Sequence, residues 1–186
     1  MKNNVDRERR QMRLAGFAVN HFAISGIGFA AGLLVFALST QSTEGILWRH
    51  SVWLILGNAL LLLLYGGAGY WCARERKWGA FASRNEGLWA FLDPALIAWG
   101  WGALVVLSLA LNAWPLLLIL FCASLFLASP SSILVLLAMV YWPLGLPGLC
   151  LWAVLAGGIP PLLFFLGSFL GGKKKILPEA SSEHGV

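Results

Sequence analysis

Apolar residues in this chain do not alternate with polar ones; they come in long runs. Between Pro94 and Gly172 no Asp, Glu, Lys or Arg occurs, and Leu, Ala, Gly, Trp and Phe fill almost every position. A water-soluble domain has nowhere to bury so much apolar surface, so the pattern predicts helices in a lipid bilayer. Two apolar runs precede this stretch, at 14–38 and 51–72. The first amounts to about 37 Å of helix, enough to cross a bilayer with tilt. Its basic start and the Ala37-Leu38-Ser39 triplet imitate a cleavable signal peptide, but the apolar core is too long for one, and a retained signal anchor is expected.

Polar punctuation divides the rest. Asp93-Pro94 predicts the start of a third span at 94–111, because Asp can cap exposed backbone N–H groups and Pro fits a first helical turn. Asn112, Trp114 and Pro115 mark its far end. Beyond them Ser129-Pro130-Ser131-Ser132, Pro143, Pro147 and Gly157-Gly158-Ile159-Pro160-Pro161 interrupt the apolar run. One reading makes three further spans at 115–128, 131–149 and 151–170. The other makes 115–128 and 131–141 the two halves of a re-entrant hairpin, followed by one crossing from about Gly148 to Leu170. The expected fold is therefore an all-α, polytopic transmembrane bundle of six spans, with four plus a re-entrant hairpin as the alternative. Uncharged Ser-Pro-Ser-Ser suits a turn at an interface, and re-entrant backbone needs a protein or water lining that a small chain supplies with difficulty, which favours six. Between the second and third spans, Trp78, Phe81, Ala82, Leu88, Trp89 and Leu92 fall on one side of a helical wheel. Segment 77–92 thus reads either as an amphipathic interfacial helix or as a loop held by aromatic residues at headgroup level.

Charge adds orientation. Lys2, Arg7, Arg9, Arg10 and Arg13 precede the first span, Arg74, Arg76, Lys77 and Arg84 follow the second, and Lys173, Lys174 and Lys175 follow the last; Arg49 alone lies elsewhere. By the positive-inside rule, the segment 1–13, the loop after the second span and the tail 173–186 are cytoplasmic, flanking one transmembrane domain at 14–172. The expected location is a plasma membrane or a bacterial inner membrane. With 11% charged residues against about a quarter in soluble domains, the composition leaves no room for a separate soluble domain. The net charge of +5 sits in short flanks rather than on a face, so nucleic acid is not an expected partner.

Small residues are spaced for close helix packing: Gly28 and Gly32, Gly167 and Gly171, and Gly66, Gly67 and Gly69 near the inner end of the second span. They would serve contacts within the bundle, a membrane protein partner or self-association. Polar residues within the apolar spans are candidates for ligand contact, since burying them in lipid is costly. These are His21 with Asn20, Asn58 and Asn112, joined by Trp99, Trp101, Tyr141, Trp142 and Trp152 as a possible cavity wall. His21 would act as a proton-responsive or ligand-contacting group, or make an interhelical hydrogen bond.

No catalytic constellation is expected. Cys72, Cys122 and Cys150 lack a Cys-x-x-Cys pair, so thiolate metal sites and disulfide exchange want for ligands, and no metal or cofactor is expected. His21, His50 and His184 would lie at different depths, which excludes bis-histidine haem. A nucleophile at Ser124, Ser129 or Cys122 would have to borrow His21 as its base, with no motif to support it. Three roles remain: a small transport component, either a permease or a substrate-capturing subunit, for an uncharged or lipid-soluble molecule; an accessory subunit docking through small-residue faces or the loop 77–92; and an intramembrane enzyme acting on a lipid. The near absence of buried charge favours the first.

Overall fold

The computed structural model describes residues 2–39, 46–75, 84–141 and 145–173, and all its regular elements there are helical. In chain order they are α1 (Lys2–Ser39), α2 (Ile46–Glu75), α3 (Arg84–Ala110), α4 (Trp114–Leu127), α5 (Ser129–Tyr141) and α6 (Leu146–Lys173). Four of them, α1, α2, α3 and α6, contain segments long and apolar enough to cross a membrane. Their outward faces carry large apolar side chains, such as Val19, Leu63, Ile97 and Leu151, each more than 60% exposed. Such a surface is built for lipid, where apolar exposure carries no hydrophobic penalty.

The third helix differs from its sequence reading. It starts at Arg84 and runs through Asp93-Pro94 without a break, so Asp93 is not a cap. Its carboxylate instead accepts two hydrogen bonds from the guanidinium of Arg10 on α1, through Nε and Nη2. The same guanidinium lies over the Trp89 ring, 4.4 Å from its centroid. A paired carboxylate needs no backbone donors, which is why an Asp is tolerated inside the helix. The portion of the interfacial segment from Arg84 onward is the first part of α3; residues 77–83 lie outside the described residues. At the other end, the N–H of Asn112 donates to Leu109 O at 3.1 Å and that of Ala113 to Ser108 O at 2.9 Å. With Asn112 at φ 53°, this is a Schellman stop, in which Asn tolerates the left-handed conformation.

The last break also shifts. The spans read at 131–149 and 151–170 would part at Cys150, but α5 ends at Tyr141 and Cys150 lies inside α6. Pro147 explains the position: it sits in the first turn of α6, where its missing N–H has no helical partner to lose.

Two pairings of α6 position the site. The most extensive is between α2 and α6, which run parallel: Gly66 meets Leu163 and Gly167, Gly69 meets Phe164 and Ser168, and Tyr70 meets Gly171. A Cβ at Gly69 or Gly167 would collide with the carbonyl of Phe164 or Gly66, and one at Gly171 would lie 2.5 Å from Tyr70 O. Glycine is required here because the two backbones touch. Phe17 and Ile24 of α1 close this pair into a core with Leu61, Tyr65, Cys72 and Phe164.

The second pairing is between α5 and α6, which run antiparallel: Ser131 Oγ donates to Ala156 O at 2.9 Å, and Trp152 Nε1 donates to Leu134 O at 2.9 Å. Pro160 has no N–H for Ala156 O, so the proline frees the carbonyl that Ser131 fills. Ser131→Ala should therefore cost about 1 kcal/mol, read as a lower melting temperature in detergent, because a buried acceptor is left unmet.

Candidate functional site

Helices α4 and α5 are short, 14 and 13 residues, about 21 and 20 Å of helix. A single residue, Ala128, joins them at φ −137° and ψ 40°. The joint is held by its own hydrogen bonds: Ala128 N–H and Ser132 Oγ both reach Ser124 O at 2.9 Å, and Ser132 N–H reaches Ala128 O at 2.9 Å. Pro130, just past the joint, is fully buried. Two further contacts fix its level in the bundle. His21 of α1 meets the Leu127 backbone, and Ser131 meets Ala156 of α6.

Charged residues mark one end of the bundle, where α1 begins and α2 and α6 finish. His21 lies about 12 Å along α1 from Arg13, and Ala156 about 25 Å along α6 from Lys173. The α4–α5 joint therefore stops well short of the basic end.

Where the joint stops, a cavity of about 820 Å³ opens between α1, α3, α4, α5 and α6. It reaches from Leu14 and Pro94 toward the basic end to Leu109 and Trp114 at the opposite end, and no Asp, Glu, Lys or Arg lines it. Volume and apolar lining match a site for a small apolar molecule. Polar groups gather at one place along it: His21, Trp101, Ser124, Ser131 and Ser132. Trp101 Nε1 donates to Ser124 Oγ at 2.7 Å, and Ser124 Oγ donates to Leu120 O at 2.7 Å. His21 Nδ1 is 2.7 Å from the Tyr65 hydroxyl, with its ring stacked on Phe17 at 5.3 Å between centroids. Tyr65 is wholly buried. Ser25 Oγ stands beside its hydroxyl without reaching hydrogen-bond geometry.

Of the residues the sequence offers for ligand contact, His21 and Trp101 line the cavity. Asn20 turns away from it, donating to Gly16 O of its own helix at 2.7 Å and to Cys72 Sγ of α2 at 3.4 Å. Asn58 is buried in α2 with its Oδ1 unpartnered among the described residues, and Asn112 forms the stop of α3. The indole of Trp99 packs on Gly157 and Gly158 and donates to Val154 O at 2.8 Å; that of Trp152 serves Leu134. The side chain of Tyr141 and all of Trp142 lie outside the described residues. Of the small residues, Gly167 and Gly171 form the α2–α6 contact, Gly28 is buried in α1, and a Cβ at Gly32 would meet nothing within 4 Å. Sequence reasoning passed over Tyr65, which sits in a leucine-rich run with no polar neighbour to single it out. It also treated Ser131 and Ser132 only as turn residues. The available signal for Ser131 was Pro160, which has no N–H for the carbonyl four residues before it and leaves Ala156 O for a hydroxyl from another helix.

The three cysteines are free, and among the described residues no three His, Cys, Asp or Glu side chains converge on a metal position. The chain matches no family model, and neither the curated proteins nor the solved structures contain a match to it.

Proposed function

We propose that the chain crosses a plasma or bacterial inner membrane four times, on α1, α2, α3 and α6, with both termini in the cytoplasm, and that α4 and α5 form a re-entrant hairpin dipping in from outside. The hairpin supports a cavity within the bilayer that takes up an uncharged or lipid-soluble molecule, and the protein acts as a small, non-catalytic transport component. The basic end is the cytoplasmic end on the positive-inside rule. Neither short helix reaches across the roughly 30 Å hydrocarbon core, and side chains and neighbouring helices satisfy the backbone at the joint, as intramembrane backbone requires.

One observation carries the functional reading: a cavity of about 820 Å³, walled by five helices, without a charged residue in its lining. Binding rather than catalysis is supported by the serines, whose hydroxyls donate to backbone carbonyls, and by His21, which is engaged by Tyr65. A nucleophile needs a free base beside it. A second reading, docking to a membrane protein partner, draws on α1, where Ala23, Ala30 and Ala31 are exposed and a Cβ at Gly26 would meet nothing within 4 Å.

The test is mass spectrometry of the protein purified in native lipid nanodiscs. One neutral, lipid-soluble species enriched over bulk membrane composition is expected. Retention of phospholipids in bulk proportion alone, together with a stoichiometric protein partner, would favour the second reading.

A further inference from the structure

The hydrogen-bond inventory of the cavity is one-sided. At its polar centre the serine and Trp101 hydrogens are committed. Ser124, Ser131 and Ser132 donate to the carbonyls of Leu120, Ala156 and Ser124, and the Trp101 indole donates to Ser124 Oγ. His21 Nδ1 is held by the Tyr65 hydroxyl, with the Leu127 backbone close to the ring. What remains are oxygen lone pairs. A serine hydroxyl has one hydrogen and two acceptor positions, so Ser131 and Ser132 each keep two and Ser124, already accepting from Trp101, keeps one. The Trp114 indole is at the far mouth, 64% exposed and about 15 Å along α4 from Ser124.

Resting on the reading of the cavity as a binding site, we propose that its occupant is a lipid alcohol: a neutral apolar molecule whose hydroxyl donates to the serine oxygens of Ser124, Ser131 and Ser132. A carboxylate or phosphate would find no cation in the lining. A ketone, quinone or ester carbonyl would be desolvated opposite serine oxygens whose hydrogens are already given to backbone carbonyls, which is the arrangement a polar site rejects most strongly. An alcohol inverts the situation, its O–H meeting acceptors and its chain lying along Val105, Val106, Leu117 and Val135. A bare hydrocarbon would fit but would gain no hydrogen bond.

The experiment uses the full-length protein in phosphatidylcholine liposomes with two photoaffinity probes, hexadecanol carrying a mid-chain diazirine and its methyl ether, which has the same chain but no donor. Crosslinks are mapped by mass spectrometry. Labelling of α3–α5 peptides by the alcohol about five-fold above the ether is expected, the ratio one added hydrogen bond supplies. In Ser131→Ala/Ser132→Ala the ratio should fall toward one, with ether labelling retained as the sign that the cavity persists. Equal labelling of the wild-type cavity by both probes would overturn the alcohol assignment while leaving the binding site standing. Absence of cavity labelling by either probe would overturn both.

Discussion

Gly167→Ala is expected to destabilise the protein by about 3 kcal/mol, the upper end for overpacking, and to lower its yield as a monodisperse species in detergent. The added Cβ would be driven into the Gly66 carbonyl and stand 2.9 Å from Tyr70 N, and both are backbone atoms that cannot rotate away. Relief requires α2 and α6 to separate, which loses the most extensive helix contact in the bundle. Gly67→Ala, on α2, should do the opposite. Its Cβ meets nothing within 4 Å, so only the helix preference of alanine remains, stabilising by up to about 1 kcal/mol. Thermal melting of the two variants in one detergent reads the sign directly. Similar destabilisation in both would mean that the helices do not touch where described.

Gly102→Phe is expected to abolish retention of the bound molecule, by about ten-fold or more, without lowering the melting temperature. Gly102 lines the cavity and a Cβ there meets nothing within 4 Å, so a ring has open space to occupy. The ring would fill volume the ligand needs, while α3 exchanges glycine for a residue that favours helix more. Quantifying the co-purified lipid in wild type and variant checks the outcome. Unchanged retention would mean that the occupant lies elsewhere, and lost retention accompanied by a lost fold would point to structure rather than site.

The membrane character of the chain was legible because it depends on composition alone: from Pro94 to Gly172 no charge interrupts the pattern. The interruption around Pro130 was legible for the same reason. Its depth was not, because level in a bundle is set by tertiary partners such as Leu127 on His21 and Ser131 on Ala156, which no local pattern encodes. Asp93 shows how a local rule loses to a distant one. Asp-Pro is a sound helix start in isolation, yet an arginine on another helix supplies the carboxylate with a stronger partner than a capped N–H. The spacing of Gly167 and Gly171 announces close packing, but nothing in it names α2 as the neighbour. The tryptophans read as a cavity wall, and for Trp99 and Trp152 the indole N–H decides otherwise: set among apolar side chains it needs an acceptor, and helix carbonyls are within reach.

The depth of the α4–α5 joint decides both the number of crossings and the existence of the cavity. Ala128→Cys, made in a chain whose three native cysteines are replaced, and treated with a membrane-impermeant maleimide in oriented vesicles, measures it. No reaction from the cytoplasmic face is expected, while Arg9→Cys reacts there and Gly145→Cys reacts only from the other face. Labelling of Ala128→Cys from the cytoplasmic face as fast as Arg9→Cys would contradict the re-entrant hairpin and restore six crossings.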